Sequence, residues 1–197
     1  MLVIATHNTH KFKEISQILA PIPCQGAFEW SLGEPKETGL SFIENALIKA
    51  RYFAKYSSKP VMADDSGLVI PSLNGQPGIY SARYAGTKAN DAENRQLLIK
   101  NLQHIQDRKA YFYCAMVVLR HEHDPCPLIG LGQWEGRIID EERGIHGFGY
   151  DPIFYVDSHH CTAAELSAEE KNILSHRGQA LSQLKTHLLH HDIISTK

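Results

Sequence analysis

Apolar residues follow two rhythms along this chain. The run Leu2-Val3-Ile4-Ala5 reads as a buried strand, and between Lys11 and Ala20 the positions Phe12, Ile15, Ile18 and Leu19 fall on one helical face. The polar residues between them place a loop at a strand-to-helix junction. Pro21 and Pro23 stop that helix, and the apolar stretch from Ala27 to Leu32 is expected to form a second strand before the loop from Gly33 to Gly39. Ser41 and Glu44 have the spacing of a capping box, followed by Ile43, Leu47, Ala50 and Ala54 on one face. Val61-Met62-Ala63 then reads as a short buried strand that delivers Asp64 and Asp65 into a loop opened by Gly67.

Further on, Leu68 to Leu73 is read as a strand made irregular by Pro71, and Tyr80 to Gly86 as a loop or hinge. Asp91 with Asn94 is expected to begin a helix that carries Leu98, Leu102 and Ile105. Ala110 to Leu119 is apolar on both alternating sets, as a central strand requires. Leu128 to Trp134 and Arg137 to Ile139 read as a strand pair about a tight turn at Gly136, which argues for a mixed sheet. Ser167 and Glu170 repeat the capping-box spacing, and the helix they open is expected to bend or end near Ser175-His176-Arg177-Gly178 before a stripe of Leu181, Leu184 and Leu188. These elements define an α/β fold with a hairpin lobe, in a single domain covering residues 1–197.

Composition narrows the classes. With 43% hydrophobic and 21% charged residues the chain has the balance of an ordinary soluble domain. A formal charge of -2 gives no global attraction to nucleic acid or to an anionic membrane, so neither is expected as a partner. The four cysteines lack CxxC spacing and the density of a secreted scaffold, and the apolar run at Met1 to Ala5 is too short for a signal peptide. Cytoplasmic residence is the expectation. His121 and His123 have no third ligand fixed by spacing, and His187, His190 and His191 read as a solvated terminus.

The chemistry concentrates at a few places. Asp64, Asp65 and Ser66 form a compact anionic group suited to Mg²⁺, although neighbouring strand residues point to opposite faces. Turn chemistry explains the same three residues equally well. Thr6, His7, Asn8, Thr9, His10 and Lys11 occupy a strand-to-helix junction, where free N–H groups favour an anion; a threonine capping the helix is the plainer reading. Gly144 to Gly149 is not GxGxxG and precedes a strand, which counts against a nicotinamide dinucleotide enzyme. There Phe148 or Tyr150 could cover a base, Gly149 could let backbone approach it, and Asp151 requires a partner. Lys171, His176 and Arg177 add donors and positive charge.

In this order, Thr6-x-Asn8-x-x-Lys11, Glu37-Thr38-Gly39-x-x-Phe42-x-Glu44-Asn45-Ala46, Ala63-Asp64-Asp65-Ser66-Gly67-Leu68, Pro77-Gly78-x-x-Ser81-Ala82-Arg83, Gly147-Phe148-Gly149-Tyr150-Asp151-Pro152 and Ser175-His176-Arg177-Gly178 resemble the inosine triphosphate pyrophosphatase family over essentially the whole chain. The resemblance implies a two-lobed mixed sheet flanked by helices, a nucleotide cleft between the lobes, a homodimer, and Mg²⁺-dependent hydrolysis of dITP, ITP or XTP to the monophosphate and pyrophosphate. It further implies that Thr6 to Lys11 contact the triphosphate, Asp65 accepts a proton or organises the metal, Ser66 contacts substrate, and Phe148 to Asp151, Lys171, His176 and Arg177 bind the purine and its phosphates. Glu37 and Asp64 are further metal-ligand candidates. His7 departs from the family, which usually has glycine there, so the loop must accommodate a side chain. A modified-pyrimidine nucleotide pyrophosphatase and a noncatalytic nucleotide-binding module are the alternatives.

Overall fold

A computed structural model describes residues 1–190; His191 and the side chain of His190 lie outside the described residues. The seven strands are β1 (Leu2–Ile4), β2 (Cys24–Gly26), β3 (Val61–Val69), β4 (Lys109–Leu119), β5 (Leu128–Ile138), β6 (Phe154–Val156) and β7 (Cys161–Thr162). They form a sheet in the order β2-β1-β3-β4-β5-β6-β7. β1 runs parallel to β2 and β3, whereas β6 is antiparallel to both β5 and β7, so the sheet is mixed as expected. The helices are α1 (Thr9–Leu19), α2 (Phe42–Ala54), α3 (Asp91–Leu102), α4 (Ala168–Leu174) and α5 (His176–His190).

The chain divides into two compact units, one of residues 1–65, 114–132 and 177–197, the other of 66–113 and 133–176. The divisions fall inside β3, β4 and β5. Within the first unit, Leu2, Ile4, Met62, Met116 and Val118 pack with Ile15 and Leu19 of α1 and Leu181, Leu184 and Leu188 of α5. Val3, Ala5, Val61, Ala63 and Val117 pack with Ala46, Ala50 and Phe53 of α2. Alternate residues of β1, β3 and β4 thus feed two apolar clusters, the result of a two-residue strand period. The second unit has its own core of Leu68, Ile70, Leu98, Leu102, Phe112, Trp134, Ile153 and Phe154.

Three local expectations are corrected. The second strand lies at Cys24–Gly26, and Ala27–Glu29 form a 3₁₀ turn whose Glu29 carboxylate accepts the Gly26 N–H at 3.3 Å. β3 continues through both aspartates to Val69, so they stand mid-strand rather than in a loop, and Pro71–Leu73 turn as a 3₁₀ helix. β5 runs unbroken through Gly136, where a Cβ would lie 2.5 Å from the Tyr155 carbonyl oxygen; that glycine serves close backbone approach, not a turn. Helix α3 begins at Asp91 as expected, with Asn90 as its cap exchanging hydrogen bonds with Glu93, while the buried Asn94 accepts the Ala85 N–H at 2.8 Å and donates to the Ala82 carbonyl. The boxes at Ser41 and Ser167 are where their spacing puts them, except that Glu44 reaches Leu40 N–H and the Ser41 hydroxyl.

Candidate active site

Strand pleating decides what the paired aspartates do. Asp64 and Asp65 are successive residues of β3, both buried, and their carboxylates meet different partners. On one side Lys11 Nζ donates to Asp64 Oδ2 at 2.9 Å, and Arg177 Nη2 lies 3.9 Å from the same oxygen. Arg177 is itself buried and donates from Nη1 to Glu14 of α1. Burial alone would raise the Asp64 pKa, but Lys11, Arg177 and Lys49 together hold it well below the usual carboxylate range. Asp64 is a fixed anion.

Lys11 owes its place to the first turn of α1. Asn8 caps that helix, its Oδ1 accepting the His10 N–H at 2.9 Å and the Lys11 N–H at 3.1 Å, while Thr6 Oγ1 accepts the Asn8 N–H. Asparagine therefore performs the capping expected of a threonine. Thr9 and His10 are exposed. His7 is accommodated without left-handed backbone, since Asn74 and His160 alone among the described non-glycine residues have positive φ. Its Nε2 lies 3.1 Å from the Leu32 carbonyl oxygen and its Nδ1 3.1 Å from Glu34 Oε1. The imidazole thereby ties this loop to the segment leading to Glu37.

On its own side Asp65 meets α2. Asn45 Nδ2 donates to Asp65 Oδ2 at 3.2 Å, and Lys49 Nζ donates to Asp65 Oδ1 at 3.4 Å and to Glu37 Oε1 at 2.7 Å. The Gly39 N–H donates to Asn45 Oδ1 at 2.9 Å, which turns the amide so that its NH₂ end faces the aspartate. Asn45 and Lys49 read in the sequence as cap or surface residues; their i,i+4 spacing, which puts both on one helix face, was the available signal. Burial pushes the Asp65 carboxyl above its ordinary value, against the pull of Lys49 and then Lys11, with Glu37 and Asp64 adding to the rise. Burial disfavours the Lys49 ammonium, yet Asp65, Asp64 and Glu37 outweigh it and keep the amine charged.

The second unit holds the remaining group. Asp151 is buried and accepts from Lys171 Nζ at 2.7 Å and from the Phe148 N–H at 2.8 Å, which supplies the partner its burial requires. The Lys171 ammonium lies 5.1 Å from the centre of the half-buried Phe148 ring. Gly147 has φ +77°, and a Cβ there would lie 2.1 Å from Asp151 Oδ2, so only glycine lets this turn close on the carboxylate. Tyr150, by contrast, is buried in the core with its hydroxyl donating to the Ser81 carbonyl at 2.9 Å, which anchors the loop. His176 is buried and stacked on Phe112, with 4.8 Å between ring centres and 12° between planes. Ser66 is half-buried on β3, directly after Asp65.

Among the described residues no three His, Cys, Asp or Glu side chains form a metal-binding group. Glu37 and Asp65 nevertheless converge on one cation, the Lys49 ammonium, whereas Asp64 is turned to Lys11 and Arg177.

A model of the Ham1 family matches residues 2–187. The chain belongs to the Ham1 family. Its Ham1 relatives include the dITP/XTP pyrophosphatase of Legionella pneumophila (strain Lens), 51% identical over 186 residues that cover 93% of this chain and 96% of the relative. Among solved structures, a HAM1 protein from Coxiella burnetii superimposes with a TM-score of 0.89 at 49% identity, covering 95% of this chain and 98% of that one. The Ham1 protein of Staphylococcus aureus gives a TM-score of 0.85 at 39% identity, covering 96% and 98%.

Proposed function

We propose that this chain hydrolyses deaminated purine nucleoside triphosphates, dITP, ITP and XTP, to the monophosphate and pyrophosphate. The observation that carries the reading is the division of labour in β3: Asp65 is a buried carboxylate between Asn45 and Lys49 whose proton affinity burial raises, beside Asp64, which Lys11 and Arg177 keep ionised at neutral pH. A general base needs the first property, and a polyphosphate site needs cations held in place. The names of relatives half identical over almost the full chain supply the substrate class.

In this reading the N-terminal turn of α1 and Lys11 receive the triphosphate, with Arg177 adding charge behind them. Asp65 takes a proton from the attacking water, and Asn45 and Lys49 fix the direction of its two oxygens. Mg²⁺ fits this donor set, because it is commonly held by one or two carboxylates together with substrate phosphates, and Asp65 and Glu37 are such a pair. When bound it would neutralise phosphate charge and lower the pKa of water. Asp64 is the poorer ligand candidate because its side chain is more deeply buried than those of Asp65 and Glu37.

Phe148, Gly149, Lys171 and His176 are the proposed base-side residues, and Ser66 is proposed to contact substrate. Hypoxanthine and xanthine carry a C6 carbonyl where adenine has an amine, so a fixed donor favours them. The Phe148 and Gly149 N–H groups are engaged by Asp151 and Asp91, which points to the Lys171 ammonium, with three donor hydrogens, or to His176 as the discriminating donor. Cytoplasmic residence is proposed on the cysteine pattern and a homodimer on the family resemblance; no described helix is long and apolar enough to cross a membrane. The test is a panel of dITP, ITP, XTP, dGTP, dATP and modified pyrimidine triphosphates with Mg²⁺, with pyrophosphate and orthophosphate measured separately. Orthophosphate without pyrophosphate would overturn the cleavage position, and equal turnover of all purines would overturn the substrate class.

A further inference from the structure

Gly149 is gripped at both of its polar backbone atoms by one helix. Its N–H donates to Asp91 Oδ2 at 2.8 Å, and its carbonyl accepts from Arg95 Nη1 at 2.8 Å. Asp91 and Arg95 stand one turn apart on α3, so a single helix face presents the acceptor and the donor together. Arg95 is in turn held by Glu142, with Nε at 2.8 Å from Oε1 and Nη2 at 3.0 Å from Oε2, a bidentate pairing that fixes the guanidinium plane. Its side chain is only 13% exposed.

The geometry has a specific effect. Gly149 N belongs to the peptide plane shared with Phe148, and Gly149 O to the plane shared with Tyr150, so the two contacts fix both planes that flank the glycine. Gly149 has φ +64°, a left-handed conformation open to glycine, with nothing within 4 Å of a Cβ built there, and the two α3 contacts hold its peptide planes. Tyr150 anchors the next residue through Ser81, and Asp151 holds the Phe148 N–H. The Phe148 ring is therefore carried on a backbone fixed at three successive residues.

We propose that Asp91 and Arg95 are positioning residues for base selection, acting by fixing the peptide planes on either side of Gly149. This rests on the reading that Phe148 and its neighbours meet the base. Neither α3 residue is proposed to touch substrate.

The test compares D91A, R95A and F148A with the parent for kcat/KM on ITP, XTP and dGTP, together with inhibition by inorganic pyrophosphate, which reports on the phosphate side alone. D91A and R95A are expected to change the ratio between ITP and dGTP by about tenfold, the scale at which sub-ångström misplacement acts, while pyrophosphate inhibition stays parental. D91N, which keeps an acceptor oxygen for the Gly149 N–H, is expected to restore most of the ratio. If F148A shifts the ratio and folded D91A and R95A do not, the clamp is overturned and the base reading stands. If F148A leaves it unchanged too, both fall. Amide exchange in the unmodified protein provides a measurement that no folding defect can obscure: the Gly149 N–H is expected to exchange well below its exposed rate, and an unprotected Gly149 amide would overturn the clamp.

Discussion

Asp64 and Asp65 are chain neighbours with opposite allegiances: Lys11 Nζ stands 2.9 Å from Asp64 Oδ2, and Lys49 Nζ stands 3.4 Å from Asp65 Oδ1. One pleat of β3 separates a carboxylate paired with Lys11 and Arg177 from one paired with Asn45 and Lys49.

Replacing Asp65 by Asn keeps the shape and removes the proton-accepting charge. The expected outcome is a fall in pyrophosphate release on the order of 10² to 10⁴-fold, with a melting temperature near the parent's. Folded D65N with near-parental kinetics would remove Asp65 from the mechanism.

The raised Asp65 pKa predicts where the acid limb of activity falls. A base works deprotonated, so kcat/KM drops as pH falls through the folded-state value, and burial places that limb above the ordinary Asp range of about 4. Lys49 pulls the value down, so K49M is expected to move the limb to still higher pH. A pH–rate profile of both proteins checks the sign; a shift toward lower pH would contradict the contact.

Asp64 is expected to contribute to stability through its buried ion pairs. Its folded pKa is depressed, so its contribution is present in full above the unfolded value of about 3.9 and is lost as pH falls through the folded value. Asp64→Asn leaves Lys11 and Arg177 without their shared anion and is expected to cost on the order of 3 kcal/mol at pH 7. The difference from the parent should shrink in strong acid, and urea unfolding at several pH values measures it.

Lys11→Ala removes a cation that every accepted triphosphate would meet. We expect kcat/KM to fall for ITP, dITP and XTP alike, leaving their ratios within about twofold. A selective loss on one base would move Lys11 out of the phosphate site. R177A is expected to do the same with an added loss of melting temperature, because Glu14 and Asp64 lose a buried partner.

How much of this was legible follows the range of the interactions. β1, α1, β4 and the boxes at Ser41 and Ser167 are written in neighbouring residues, and the structure places them there. β3 was not, because two adjacent aspartates argue for a loop until Lys11 and Lys49, 53 and 16 residues away from their partners, neutralise them. Gly136 looked like a turn because the close approach of the Tyr155 carbonyl belongs to β6. The burial of Tyr150 is likewise set at long range, its hydroxyl finding Ser81, 69 residues distant. Motif order points to the acids and cations of the site, whereas only tertiary contact distinguishes Asn45 and Lys49 from ordinary cap or surface residues of a helix.

The Asn45 amide presents a fixed end to Asp65. Gly39 N–H claims its oxygen end, so its NH₂ end alone faces Asp65 Oδ2, and a hydroxyl formed on Oδ2 would meet a donor instead of an acceptor. Lys49 Nζ donates to Oδ1, so both oxygens face donors and both contacts favour the ionised, proton-accepting form of Asp65. A Cβ on Gly39 would lie 2.7 Å from Asn45 Oδ1, so any larger residue there would loosen the amide. Which end of the amide Asp65 meets is thus set by the backbone of a glycine.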